Sequence, residues 1–557
     1  MVSGAKLIVD KLRENGVKTI FGIPGGAVLP LFDEIYKAGD IEFILTRHEQ
    51  GATHMADGYA RATGKAGVVI VTSGPGATNL ATGIANAFLD SSPVISMAGQ
   101  VPTSSIGYDA FQEANIFSMM IGLTKMNFLP RNLNELNSAL ENAFKIALSG
   151  RPGPVHIDIP RDVQLMEGEP KNNIFSYSYN PPIPSDEEIF LASKMLVDAE
   201  RPVILAGGGV IMSGASGELV ALAELLNAPV VTTLMGKGSI PEDHPLSLGC
   251  VGMHGKLGAI RAVQESDVIL AVGARFSDRS TGKLSGFAPR AKKIHIDIDK
   301  SEIGKLIKPD IGIVGDAKHV LSRLYSNLVK MVQRGKAGKW GERLKQLKRE
   351  SEFLYDYDAI PIKPSTVVKI LNDFVTPSDF VTTEVGQCQM YASLHFLAKR
   401  PRQFISSGGL GTMGFGLPAA IGVKTAFREQ KVFDIAGDGS FFMTCNQIPV
   451  SVDYNLPIIV VVLNNYFLGM VRQWQELFYG KRYIAVDLKG KADITKVSEG
   501  FGAKAFKVTR VSELKEYLQT AIRENETTVI DVIVEREDNV FPMIPPAATL
   551  DEVILGR

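Results

Sequence analysis

A carboxylate between two glycines, Gly437-Asp438-Gly439, closes the largely apolar run that starts at Val432. An asparagine pair, Asn464-Asn465, closes the next such run, with 24 residues between it and Gly439. A carboxylate, an amide oxygen and a nearby backbone carbonyl are hard oxygen donors. They suit Mg²⁺, which commonly bridges a protein to a phosphate-bearing ligand. The glycines let backbone approach phosphate oxygens, and N–H groups of the following helix face them. A glycine-flanked acid by itself is more often a turn or a capped helix start; its spacing from the asparagine pair favours the ligand set. In a right-handed βαβ unit, neighbouring parallel strands end on the same side of the sheet. Asp438 and Asn465 are therefore expected to meet at the carboxyl edge, where open α/β sheets bind ligands.

A second acid, Glu49, stands in "IEFILTRHEQGATHMADGYARATG" (41–64), just after an apolar run and at the start of a small-residue helix. Position alone makes it an acid favoured by the helix macrodipole.

The elements that must carry these groups are legible. Apolar β-branched runs, among them "AGVVIVTSG", "RPVILAGGG", "SDVILAVGA", "KVFDIAGDG" and "LPIIVVVLNN", alternate with helical patterns. Continuous apolar strands separated by helices mark parallel sheets covered on both faces. The expected fold is α/β, with three doubly wound parallel-sheet domains. Residues 166–187 and 328–364, proline-rich and strongly charged respectively, read as linkers. They separate an N-terminal domain (1–165), a central domain (188–327), and a C-terminal domain (365–545) with its tail (546–557). The first and third domains share a pattern of strand, Gly-x-Gly, helix, proline, strand. Gly74 precedes Pro93 by 19 residues and Gly437 precedes Pro457 by 20, which points to a duplicated unit. Only the second copy carries the acid.

The 557 residues are 45% hydrophobic and 21% charged, ordinary for globular protein, and a net charge of −1 gives no reason to expect nucleic acid or a membrane surface as partner. Cys250, Cys388 and Cys445 form no CxxC pair, which fits a reducing compartment. The N-terminus reads as an amphipathic helix rather than a targeting peptide, and no apolar run nears membrane-spanning length. A soluble cytoplasmic protein is expected.

The acid, the asparagines and their spacing resemble the thiamine-diphosphate signature of the pyruvate-decarboxylase and acetohydroxyacid-synthase superfamily. The resemblance spreads over nearly the whole chain. "FGIPGGAVLPLFD", "GQVPTSSIGYDAFQEANI", "GRPGPVHIDIPRDVQ", "LGTMGFGLPAAIG" and "LGMVRQWQELFY" look like the catalytic subunits of the acetohydroxyacid (acetolactate) synthase family. "PVILAGGGV" with "TTLMGKG", "GMHG", "GARFSDR", "HIDID" and "VGDA" resembles the FAD-binding centre of its biosynthetic branch, although Ser277 stands where the family's RFDDR string has an acid.

The resemblance implies decarboxylation of pyruvate on thiamine diphosphate and condensation of the hydroxyethyl carbanion with a second keto acid. Pyruvate as acceptor gives 2-acetolactate and 2-ketobutyrate gives 2-aceto-2-hydroxybutyrate, on the route to valine, leucine and isoleucine. It implies Mg²⁺ on Asp438, Asn465 and the carbonyl of Phe467. Thiamine diphosphate would lie against Glu49, Gly386, Gln387, Gly411, Met413, Gly437 to Ser440, Asn465, Phe467, Gly469 and Met470. FAD would lie against Arg151, Gly207 to Gly209, Thr233, Leu234, Met235, His254, Gly273, Ala274, Arg275, Asp278, Asp297 and Asp316. Glu49 would drive imino-tautomer formation in a cofactor held by another subunit, which implies a homodimer or tetramer. Gln112, Gly26, Arg275 and Trp474 would surround substrate, with Arg275 serving either the acceptor's carboxylate or FAD alone. A small regulatory subunit is a further implied partner. A flavin-dependent 2-keto acid oxidase and another carboligase on the same scaffold are the alternatives. Three departures stand in "TTEVGQCQMYAS": Glu384, Cys388 and Tyr391 replace the family's Asp, His and Trp.

Overall fold

The computed structural model describes residues 1–170, 175–332 and 339–556. Positions 171–174 and 333–338 of the two expected linkers, and residue 557 of the tail, lie outside the described residues. Three six-stranded sheets form, all of their pairings parallel, as the continuous apolar runs require. The first spans strands from Thr19–Ile23 to Val155–Pro160, the second from Pro202–Ala206 to Ile311–Val314, the third from Phe380–Thr383 to Thr528–Ile533. Helices cover both faces, so the expectation of doubly wound α/β architecture is met.

Numbered by chain order within each sheet, the strands run 2-1-3-4-6-5 in the first and third sheets and 3-2-1-4-5-6 in the second. The outer sheets thus share one topology, in keeping with the repeat around Gly74 and Gly437. Each sheet has a point where strand order reverses, and there the connecting loops part to leave a crevice at the carboxyl edge. In the third sheet it lies between Phe380–Thr383 and Val432–Gly437, and in the second between Pro202–Ala206 and Val268–Val272. In the first it lies between Thr19–Ile23 and Gly67–Val71.

Each outer domain keeps a core of its own, and the two share a further one. Helix Glu49–Thr63 lies against helix Gly416–Ala426, and one buried cluster holds Ala52, Met55 and Ala56 together with Leu417, Ala420 and Ile421. Small residues make this approach possible: a side chain at Gly58 would collide with the Ala419 carbonyl, and one at Gly422 with that of Met55.

Residues 328–364, expected as a linker, contain helix Lys339–Glu350. Its Trp340, Leu344 and Leu347 recur at helical spacing and pack into the core of the central domain, with charged residues outside. The tail returns to the same core through Leu550, as does Ile544 just before it. No helix among the described residues is long and apolar enough to cross a membrane.

Replacing Gly422 with leucine should wedge the two helices apart. The expected cost is about 1–3 kcal/mol from overpacking, seen as a lower midpoint in thermal or urea unfolding. Gly217→Leu, at an open surface position, should not lower it.

Candidate functional site

The carboxyl edge of the third sheet brings the first motif together. Strands Val432–Gly437 and Ile459–Asn464 are paired neighbours, so Asp438 and Asn465 emerge side by side. Asp438 is buried, and its Oδ2 has no hydrogen-bond partner. Burial pushes its carboxyl up to about 7, with backbone N–H groups at Asp438, Gly439 and Tyr466 partly opposing this. Asn464 turns away and donates to Asp531 (2.8 Å), whereas Asn465 donates to Gln387 Oε1 (3.1 Å) and accepts the N–H of Phe467 (3.0 Å). Tyr466, between the two candidate ligands, has φ of 57°, a left-handed conformation that is strained for a bulky side chain and clusters at functional sites. Ionising Asp438 costs folding free energy as pH rises toward 7, and a cation at Oδ2 would remove that cost. The orphaned oxygen, an amide and a backbone carbonyl fit a hard divalent ion.

On the other side of the crevice, helix Gln387–His395 starts directly after Gly386, so its free N–H groups border the cleft. Gln387 braces the floor by donating to Gln473 Oε1 (2.8 Å) and to the Asp538 carbonyl (3.0 Å). A side chain at Gly469 would collide with Gln387. Ser440 closes the first turn of helix Asp438–Thr444 on the Gly437 carbonyl (3.1 Å). A Cβ on Gly437 would lie 3.5 Å from Cys388 Sγ, so this thiol borders the acid loop. Burial raises its pKa well above the ordinary value, so it is neutral at physiological pH and offers no cationic contact. Tyr391 donates to Asp538 (2.7 Å).

Met413 is carried on a loop whose anchors the motifs did not reveal. Glu384, fully buried at the end of strand Phe380–Thr383, accepts the N–H groups of Gly414 (2.6 Å) and Leu417 (3.0 Å). It caps helix Gly416–Ala426 from a position more than 30 residues earlier. Burial raises its carboxyl, and that of Asp434 beneath it, above the usual range. A Cβ on Gly439 would come 3.7 Å from the Met413 methyl, which puts that side chain beside the acid loop.

Glu49 and Gln112 form a second group around Gly74 to Gly76, and Gly26 follows the neighbouring strand Thr19–Ile23 at the crevice of the first sheet. Glu49 is buried at the first turn of its helix and accepts a bond from Asn79 through Oε2 (2.9 Å). Its Oε1 lies 3.5 Å from where a Cβ on Gly76 would be, and Gln112 packs on Gly74. Gly74-Pro75-Gly76, the acid-free copy, thus borders Glu49 as Gly437-Asp438-Gly439 borders the candidate metal ligands. Gln112 has φ of 61°. Among the described residues, no hydrogen bond or ion pair joins this group to Asp438 or Met413.

The central domain's crevice opens into a cleft of about 1080 Å³. Arg151, Gly208, Gly209, Thr233 to Met235, His254, Gly273 to Arg275, Asp278, Asp297 and Asp316 line it, and Gly411, Met470 and Trp474 extend it into the C-terminal domain. Gly207 is not in the wall; a side chain there would strike the Gly273 carbonyl, so it serves loop-to-loop approach. His254 is half-buried with both ring nitrogens buried and unpartnered, and burial and the nearby Arg279 lower its pKa to about 3. Burial raises Asp297 to about 6 and lowers Arg275. Arg151 is tied to Ser91 (2.8 Å) and Glu302 (2.9 Å), and Asp316 also caps helix Ala317–Met331. Arg279, in the same "GARFSDR" string but not singled out by sequence, lies 5.8 Å over the ring of Trp474, whose Nε1 is buried and unpartnered. A long cleft with orphaned donors and a glycine-lined switch point fits a dinucleotide-sized ligand.

Family models describe the same three parts. The model of the thiamine pyrophosphate enzyme N-terminal TPP binding domain matches residues 2–119, that of the central domain 191–324 and that of the C-terminal TPP binding domain 384–532. The chain is 48% identical to a probable acetolactate synthase large subunit of Methanocaldococcus jannaschii, across 99% of this chain and 95% of that one. It is 42% identical to the acetolactate synthase isozyme 3 large subunit of Escherichia coli (100% and 99%) and 43% identical to the acetolactate synthase large subunit of Corynebacterium glutamicum (99% and 90%).

Two outcomes test the third-sheet site. A cation displaces the proton from Asp438, so apparent Mg²⁺ affinity should rise about tenfold between pH 6 and pH 8 and then level off. Calorimetric titration reads this, and a flat profile would exclude Asp438 as ligand. Glu384→Ala leaves two buried N–H groups without an acceptor, so unfolding should come earlier by roughly 1–3 kcal/mol.

Proposed function

The chain belongs to the thiamine pyrophosphate enzymes and, within them, to the acetolactate synthase large subunits; from that premise we propose that it condenses two 2-keto acids with loss of CO₂. Pyruvate is the donor, and pyruvate or 2-ketobutyrate the acceptor, so the products are 2-acetolactate and 2-aceto-2-hydroxybutyrate, precursors of branched-chain amino acids. The observation that carries the reading is the orphaned Asp438 oxygen beside Asn465, on neighbouring strand ends at the carboxyl edge of the third sheet.

Thiamine diphosphate, when bound, supplies the carbon nucleophile and the electron sink for decarboxylation. Asp438, Asn465 and the Phe467 carbonyl would hold Mg²⁺ on its diphosphate, with Gly386, Gln387 and the N–H groups of helix Gln387–His395 on the opposite side. Met413, beside Gly439, would support the cofactor. Glu49 would offer Oε1, the oxygen Asn79 leaves free, to hold or release a proton toward the pyrimidine ring of the bound cofactor. Because Glu49 and Asp438 belong to separate groups within one chain, the reading includes a homo-oligomer in which Glu49 serves the neighbouring copy.

The central cleft would take FAD. Two pyruvates and one proton balance one acetolactate and one CO₂, with no net electron transfer, so the flavin has a structural part. Arg275 and Trp474 line that same cleft, offering a cation for the acceptor's carboxylate and an aromatic wall for its alkyl group. The relatives' designation as large subunits supports a smaller regulatory partner. The protein acts in the cytoplasm on this reading, without membrane or nucleic acid.

Product analysis tests the assignment. Pyruvate alone should yield acetolactate with one CO₂ released per product, and added 2-ketobutyrate should yield the longer homologue. Anaerobic bleaching of the flavin at the turnover rate would instead establish a keto acid oxidase. Glu49→Gln should lower kcat by about 10²–10⁴-fold while thiamine diphosphate still binds; unchanged turnover would remove Glu49 from proton transfer.

A further inference from the structure

The segment from Ser407 to Leu417 is held at both ends by buried carboxylates. Glu384 takes its far end, and its near end is held from the N-terminal domain. Asp90 accepts the N–H of Gly408 through Oδ2 (3.1 Å) and that of Gly409 through Oδ1 (2.6 Å). Arg61 donates to Asp90 (2.9 Å), to both oxygens of Asp57 (2.6 and 3.0 Å) and to the Ser406 carbonyl (2.7 Å). Burial opposes the charge on Arg61, but Asp57 and Asp90 outweigh it, so the guanidinium persists. Asn86 donates to Asp57 (2.8 Å) and accepts from Ser407 (2.5 Å) and Thr412 (3.0 Å). Four polar side chains of the N-terminal domain therefore fix the approach to Met413.

Gly408 and Gly409 stand where three domains meet. A Cβ on Gly408 would press on Met235 of the central domain, and one on Gly409 would come 2.8 Å from Asp90. Leu89, Asp90, Ser91, Met235 and Gly408 to Gly411 are all walls of the 1080 Å³ cleft. Whatever fills that cleft therefore touches the backbone that leads, two residues beyond Gly411, to Met413.

We propose that Asp90 is a positioning residue that couples the cleft of the central domain to the Met413 loop, so that flavin and thiamine diphosphate bind cooperatively. This rests on the reading of the cleft as the flavin site. A glycine-rich segment carries a large conformational entropy. Flavin packed against Gly408 to Gly411 orders it, and the Asp90 and Asn86 bonds transmit that order to Met413. The second cofactor then meets a loop already in place, and the gain is reciprocal.

Titration of thiamine diphosphate with Mg²⁺ into the flavin-free and flavin-saturated full-length protein measures the coupling. Flavin should tighten it about tenfold, within the usual range of coupling between sites. Asp90→Asn keeps the shape but loses the charge that holds two N–H groups and Arg61. It should reduce the factor to under about threefold, while flavin affinity, read by fluorescence, changes less than the coupling does. Ser407→Ala removes one of the two links to Asn86, leaving that of Thr412, without disturbing the charges. It should lower the factor by a smaller amount, and it carries the test if Asp90→Asn does not fold. Equal factors in parent and variants, or independent binding in the parent, would overturn the proposal. Flavin binding and acetolactate formation without coupling would sink this inference alone, whereas failure of the parent to bind flavin would remove the reading beneath it as well.

Discussion

Where the order of strands in a parallel sheet reverses, the loops on either side leave in opposite directions and cannot cover the edge between them. This chain has three such gaps, and each group of chemical interest lies at one. Asp438 and Gly386 flank the gap of the third sheet, Gly208 and Arg275 that of the second, Gly26 and Gly74 that of the first. The duplicated outer topology explains why an acid loop and an acid-free loop stand in corresponding places. The same crevice carries different groups in its two copies, the candidate metal ligands in one and the lone Glu49 in the other.

Buried carboxylates decide how well these gaps are shaped. Removing a charge from water is costly unless donors replace the water. Glu384 and Asp90 meet that demand with backbone N–H groups, and in doing so they hold the ends of the segment that carries Met413. Asp438 keeps one oxygen without a donor, which makes it the position where a cation is most favourable. The departures from the family pattern acquire definite meanings here. Glu384 caps a loop, Tyr391 ties down Asp538, and Cys388 offers a neutral thiol beside Gly437 where a histidine would offer a donor.

Much of the site was readable from residue order, because strand ends are local features. An apolar run followed by Gly-Asp-Gly, by Asn-Asn or by three glycines already says which groups reach a carboxyl edge. The part of Arg279 is not legible in "GARFSDR", because its position over the Trp474 ring joins residues of different domains. Helix Lys339–Glu350 was obscured by its charge: only three of its residues face inward, so composition read it as a linker.

Sequence alone settled the alternation of strand and helix, the parallel sheets, and the candidate ligands on the strand ends, since period and punctuation act over a few residues. It also made the acid and its asparagine neighbours, since adjacent parallel strands end together. Only the tertiary structure decided that the outer domains share a core across Gly58 and Gly422, and that Asp90 and Glu384 hold the Met413 loop. The shared core depends on two glycines meeting backbone of the facing helix, and the held loop on backbone N–H groups meeting carboxylates 30 to 319 positions away. A backbone donor has no side-chain identity to read, so chain order carries no sign of which carboxylate it will meet.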